Sequence, residues 1–230
     1  MSTEILARFS KPNRGSPMTE TPSRPRRRTQ AERTADTRSR LIQAAITCLF
    51  RTGYSATTIG TVAEEAAVSR GAITHQFPAK TDLMLAVVQS VFEDDGALYN
   101  ATIATMDPRQ WLLQLPRTMW TVISRPSGIA VIEIMLASRA DPELAEKLRA
   151  IQTAIDERAH AWSAERVKAA SLAPHPDAEA LHELYVAAIR GLALQATFMN
   201  NADGVQKSLR VLSDAMRHYY PEIDKQDRGA

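Results

Sequence analysis

Arg70, Thr74, His75 and Lys80 crowd into the stretch TTIGTVAEEAAVSRGAITHQFPAKTDL, residues 57–83. A guanidinium, a hydroxyl, an imidazole and an ammonium so close together are hydrogen-bond donors suited to nucleic acid. An arginine fork donates two bonds to guanine O6 and N7, and a threonine meets a thymine methyl group or a phosphate. Gly71 and Ala72 beside Arg70 are small, so a helix carrying them can bring its backbone near a groove wall. Thr58, Ser69 and Lys80 stand at expected helix starts, where unpaired backbone N–H groups favour phosphate. Each residue also has a plainer reading: Arg70 as a solvated charge, His75 as a partly buried spacer, Thr58 and Ser69 as caps.

Rival chemistries are thinly represented. His182-Glu183 opens a metalloprotease-like pattern, but Val186 stands where the second histidine is needed. The five histidines and Cys48 show no metal-ligand spacing, and no glycine-rich phosphate loop is present. We therefore expect no catalytic residue, no metal and no cofactor. Cys48 reads as core, and a single cysteine permits no internal disulfide, which suits a reducing, cytoplasmic setting. No run of about twenty apolar residues occurs, so no membrane partner is expected.

The elements that must position the donors follow from periodicity. Ile59, Val62, Ala63 and Ala66 repeat at the spacing of one helical face, with Thr57 or Thr58 as cap. The pattern breaks at 66–68, and Ser69 caps a second helix running to about residue 75. Ala63 allows close approach of the two helices, Ala67 occupies the turn, and Ile73 closes the wedge between them: a helix-turn-helix.

Residues 37–83 resemble the TetR family of bacterial transcriptional regulators. The resemblance is carried by Ile42, Ala45, Leu49, Gly53-Tyr54, Thr57-Thr58-Ile59, Ala63 and the run 66–69, then by Gly71, Ile73, His75, Phe77, Lys80 and Leu83. It implies an all-α fold, with an N-terminal three-helix bundle containing the helix-turn-helix and a C-terminal helical domain for ligand binding and dimerisation. It adds His75 and Lys80 as contacts to the DNA backbone. The implied partners are a double-stranded DNA operator, a second copy of the chain and a small-molecule effector. Two positions depart from the pattern. Ala67 stands where the family usually has Gly, so a positive φ there would cost about 1 kcal/mol. Thr74 replaces a common Tyr. Gly60, inside the first helix of the motif, lowers its propensity by about 1 kcal/mol.

Charge divides the chain in the same place. Residues 1–80 hold 13 Lys and Arg against 6 Asp and Glu, whereas residues 81–230 hold 15 against 20. Residues 1–33 are rich in Pro, Ser, Thr and Arg and read as a disordered basic arm. The cluster at 24–28 suits either a minor groove or a generic electrostatic tail. The expected domains are this arm, a reading domain over 34–80, a helical body over 81–224 and a tail over 225–230.

In the body, helices are expected to about residue 104, over 111–123 with a kink at Pro116, over 129–139, 142–170, 178–199 and 205–219. Val205, Leu209, Leu212, Met216 and Tyr219 form a heptad-like seam, and Leu181, Leu184, Tyr185 and Ala188 give the preceding helix one apolar face. These are the expected dimer residues, the alternative being one monomeric core. Ala187, Leu194 and Phe198 extend apolar surface round the other sides of that helix. Trp111, Met119, Trp120, Met135 and Trp162 are the expected lining of an effector pocket, with plain core packing as the alternative. Glu133 joins them because it interrupts an apolar run and would need a partner, a cationic ligand or Arg139, unless it marks the solvent face. The expected function is that of a homodimeric repressor released from a palindromic operator by a small molecule. The alternatives are a ligand-independent nucleoid or architectural factor of the same fold, and an enzyme or non-DNA binding module that happens to carry the motif.

Overall fold

The computed structural model describes residues 29–224; the remainder of the expected arm, including the cluster at 24–28, and the tail at 225–230 lie outside them. The described residues are helical, with no strand among them. The first helix, α1 (Gln30–Ala56), starts inside the stretch expected to be arm. Its cause is local. The Thr29 hydroxyl accepts from the Glu32 N–H at 3.2 Å, and the Glu32 carboxylate accepts from the Thr29 N–H at 2.6 Å, so two donors of the first turn are satisfied together.

Near its end α1 breaks at Gly53, whose φ of 75° suits a residue without a Cβ. Then come α2 (Ile59–Glu65) and α3 (Arg70–Gln76). The Thr58 hydroxyl accepts from Thr61 N–H at 3.1 Å, and the Ser69 hydroxyl accepts from Ala72 N–H at 3.2 Å, so both act as N-caps. Ala67, in the turn between them, has a φ of 50°. The turn closes with Val68 N–H on Ala63 C=O and Ala67 N–H on Glu64 C=O, both at 3.0 Å. This is the helix ending that favours glycine, and Ala67 carries its methyl group there at a cost of about 1 kcal/mol.

The body contains α4 (Lys80–Ile103), α5 (Pro108–Ile123), α6 (Pro126–Ala137), α7 (Pro142–Ala169), α8 (Ala178–Ala196) and α9 (Ala202–Tyr219). A 3-10 turn, Ser138–Ala140, links α6 to α7. Pro at the first helical position begins α5, α6 and α7, where its missing N–H costs nothing. Helix α5 runs on through Pro116. No single described helix is long and apolar enough to cross a membrane.

The packing does not respect a boundary at residue 80. Leu41, Ala45, Leu49, Val62, Ile73 and Phe77 share one buried cluster with Leu83 and Val87 of α4, Ala130 and Ile134 of α6, and Leu144 and Leu148 of α7. The helix-turn-helix region, called the head below, is thus built into the body through α1 against α6. A second cluster unites α5, α8 and α9 with the end of α7.

Candidate nucleic-acid interface and internal cavities

The apolar faces of α2 and α3 point into the first cluster through Val62, Ala63 and Ile73, so the polar faces are left outside. Thr58, Ser69, Arg70, Gly71, Thr74 and His75 are exposed, while Ala72 and Lys80 are half-buried. The structure therefore leaves most of the sequence-predicted donors open to solvent, with Thr58 Oγ1 and Arg70 Nη2 both near Gly60. Among the described residues the Arg70 guanidinium has no hydrogen bond, and a Cβ built on Gly60 would lie 3.8 Å from its Nη2. A side chain at this position of α2 would thus meet Thr58 and Arg70 at ordinary van der Waals contact. Thr74 Oγ1 donates to the Arg70 carbonyl at 3.0 Å, so its hydroxyl is engaged with its own helix.

Lys80 has a more structural place than its sequence context implied. Its Nζ donates to the Tyr54 carbonyl at 2.7 Å and lies 3.7 Å from the centre of the Tyr54 ring. Burial pushes its pKa below the ordinary lysine value, and Asp141 partly offsets that. The lysine pins the start of α4 to the broken end of α1. Sequence reasoning missed three further cations that brace the head. Arg40 donates to the Ala66 carbonyl at 2.5 Å, Arg38 stacks 4.5 Å over Phe77, and Arg51 pairs with Glu65 at 3.5 Å. Only the basic character of α1 hinted at them.

Glu133 is the main correction to the expected pocket. It lines no cavity described here; its Oε2 accepts from the Tyr54 N–H at 3.1 Å. The kink at Gly53 frees that N–H from the helix, and the carboxylate of α6 satisfies it. A Cβ on Gly53 would come within 3.2 Å of the same oxygen. Glu133 is thus a bond between the body and the head.

Two cavities open among the body helices. The first, of about 430 Å³, lies between α5, α7, α8 and α9 and is lined by Trp111, His160, Leu181, His182, Tyr185 and Met216 among others. The second, of about 370 Å³, lies between α4, α5, α6, α7 and α8. Phe92, Asp95, Tyr99, Met119, Trp162 and Arg190 are among its walls, with Gly128 and Val131 from α6. Leu115, Ser163 and His182 line both. Of the predicted pocket residues, Trp111 meets the first cavity, and Met119 and Trp162 meet the second. Trp120 instead packs near Ile129, Ile132 and Ala193, and Met135 against the first core cluster.

Around these cavities sit polar groups that sequence reasoning overlooked. Trp111 Nε1 donates to Tyr99 Oη at 2.8 Å, and Trp162 stands edge-on to both rings. Arg166 lies over Trp111 and Trp162, 5.5 and 5.7 Å from the ring centres, with Nε and Nη2 buried and unbonded. His160 and His182 meet edge to face at 4.9 Å, and burial together with His160 holds the His182 pKa down. Asp95 accepts from Arg125 at 3.0 Å, yet burial pushes its carboxyl up to about 6. The charge of Arg190 inside the apolar run 186–196 was the one legible signal of this set.

The dimer expectation is also redistributed. Val205, Leu209, Met216 and Tyr185 are buried within the second cluster of the chain's own core, and Tyr185 Oη donates to the Leu212 carbonyl at 2.7 Å. Leu212, Leu181 and Ala188 are half-buried. Leu184 alone of the predicted set is open to solvent, 54% exposed. With it stand Leu194, Phe198 and Val211, exposed by 38%, 72% and 66%. Along α8 and just past its end, the exposed positions Leu184, Ala187, Gly191, Leu194 and Phe198 repeat at alternating steps of three and four, a heptad-like stripe that the described residues leave uncovered.

Residues 41–87 match the model for bacterial regulatory proteins of the tetR family. The HTH-type transcriptional regulator CymR of Pseudomonas putida is 28% identical over 207 residues, spanning 87% of this chain and 99% of that protein. A TetR transcription regulator from Haloarcula marismortui superposes with a TM-score of 0.66 at 18% identity, over 81% of this chain and 99% of the other. The multidrug binding protein EbrR, solved with imidazole, superposes with a TM-score of 0.55 at 26% identity, over 77% and 93%.

Proposed function

Because the chain belongs to the TetR family of transcriptional regulators, which are not enzymes, we propose that it is a homodimeric repressor which reads a palindromic operator and leaves it when a small molecule occupies the body. The observation that carries this reading is the double duty of α6. Gly128 and Val131 line the second cavity, and Glu133 on the same helix holds the Tyr54 N–H at the break in α1. A ligand that shifts α6 therefore acts on α1, which packs against α2, the partner of α3. Release requires only that the ligand bind the non-reading arrangement better, by a few kcal/mol.

On the DNA side, α3 enters the major groove with Arg70 on a guanine edge and Gly71 and Ala72 at the groove wall. Thr58, Ser69, Thr74, His75 and Lys80 serve register on phosphates, Lys80 with the donors that Tyr54 leaves free. Two such heads on a two-fold axis read half-sites a helical turn or more apart. The heptad stripe of α8, with Val211 of α9, supplies the self-complementary face for that axis, and the buried α9 seam does not. The protein works in the cytoplasm. EbrR is solved with a small molecule, which supports a ligand-taking body of this fold. A ligand-independent architectural factor would call for a filled core, and the two cavities count against it.

Selection of random duplex DNA on the full chain at near-physiological salt tests the reading. Recovery of an inverted repeat is expected. Binding that enriches no sequence and merely fades as salt rises would overturn operator recognition.

A further inference from the structure

The second cavity is an apolar chamber with an unspent cation in its wall. Hydrophobic and aromatic groups (Val91, Phe92, Met119, Val122, Trp162) make most of the lining, and Arg190 of α8 faces it. Both acids of the wall are already engaged: Asp95 accepts from Arg125 at 3.0 Å, and Asp156 accepts from Gln152 Nε2 at 2.8 Å. Arg158, the other cation of the lining, is exposed and stacks 5.0 Å over Phe92. Arg190 alone among these charged groups makes no hydrogen bond, ion pair or ring contact with a described residue. Asp156 is near enough to influence it, but forms no ion pair with it. Arg190 is half-buried, and a partly desolvated guanidinium without an acceptor gains when a ligand supplies one. Behind the same wall, Arg166 leaves Nε and Nη2 buried and unbonded over Trp162, which adds to the positive potential of the chamber.

The geometry points to a small, flat, apolar monocarboxylate as the ligand class of this cavity, with its carboxylate on the Arg190 fork and its hydrocarbon body among Phe92, Met119 and Trp162. The planar fork suits a carboxylate because it donates two parallel bonds. A volume near 370 Å³ lies at the small end of ligand sites and suits a one- or two-ring acid. This inference rests on the reading of the body as an effector domain, and binding can be measured apart from DNA release.

The test uses the full chain and tryptophan fluorescence, since Trp162 is in the wall. The probes are benzoate and 2-naphthoate, their primary amides as neutral counterparts, and benzyltrimethylammonium as a cationic one. The acids are expected to bind at least about tenfold tighter than the amides, as a charge-assisted pair warrants. Arg190→Met should erase that preference while leaving amide binding within about twofold, and Arg190→Lys should retain part of it. Helical circular dichroism of both variants confirms folding; if Arg190→Met does not fold, Arg190→Lys and the acid–amide ratio of the natural chain decide. Equal binding of acid and amide, preference for the ammonium probe, no binding of any probe, or an acid preference that survives in the folded Met variant would each overturn the assignment. Acid binding through Arg190 that leaves operator affinity unchanged would instead sink effector-driven release and keep the site.

Discussion

The reading head and the helical body handle charge in opposite ways. At the head, the apolar faces of α2 and α3 go inward and Arg70, Thr74 and His75 stand in solvent on a scaffold that buries Val62, Ala63 and Ile73. In the body, titratable groups stand around the cavities: Asp95, Arg190 and His182 on their walls and Arg166 over two indoles. An exposed donor costs little to keep and waits for a polyanion. A buried one is costly unless satisfied, so it marks where something else belongs. The difference fits the proposed reading, in which the head meets a partner from outside and the body encloses one.

The strongest break of this comparison is Arg70→Ala. Loss of a two-bond guanine contact should lower affinity for the selected operator about 5- to 100-fold with little change in stability. Fluorescence anisotropy at fixed salt measures the first and thermal unfolding the second. A loss of similar size on random duplex would mean that Arg70 serves phosphate alone.

Glu133→Ala attacks the joint between the regions. It leaves the Tyr54 N–H without its acceptor and should cost about 1–3 kcal/mol of stability, measured by denaturant unfolding. Glu133→Gln, which keeps an acceptor, should recover most of it. A variant as stable as the parent would show that the N–H finds another partner and that the joint lies elsewhere.

Asp95→Asn sharpens the contrast on the body side. The folded-state pKa of this carboxyl is raised to about 6, so its favourable contribution is present below its unfolded value and disappears as pH rises through about 6. The neutral variant should therefore exceed the parent by about 1–3 kcal/mol near pH 7.5, and the gap should close towards pH 4. Thermal unfolding at several pH values reads it. A constant gap across that range would remove Asp95 from the titrating groups.

The smallest effect is expected at the turn of the head. Ala67→Gly relieves a φ of 50° and should stabilise the chain by at most about 1 kcal/mol, part of which the greater freedom of the unfolded glycine removes. Destabilisation would mean that the methyl group has packing value there.

Local order along the chain made the head legible. A cap, an apolar period, a small residue at the approach and a breaker lie within the stretch 57–83, so the motif, its exposed donors and the strained Ala67 could all be read before any packing was known. The same reading assigned the seam of α9 to a twin subunit, with one monomeric core as the alternative, because a heptad period reports that a helix is buried on one face without saying against what. Val205, Leu209 and Met216 are buried within the chain itself, and the uncovered stripe runs along α8. Glu133 was recognised as an acid in need of a partner; the partner, an N–H released by a glycine far away in sequence, emerged only when α6 met α1. The sequence by itself determined the helices, the helix-turn-helix and the polar face left in solvent, since these depend on neighbours a few residues apart. Tertiary structure alone decided which charges became buried, which cavity holds Arg190 and how that cavity reaches the head, because those depend on five helices converging from distant parts of the chain.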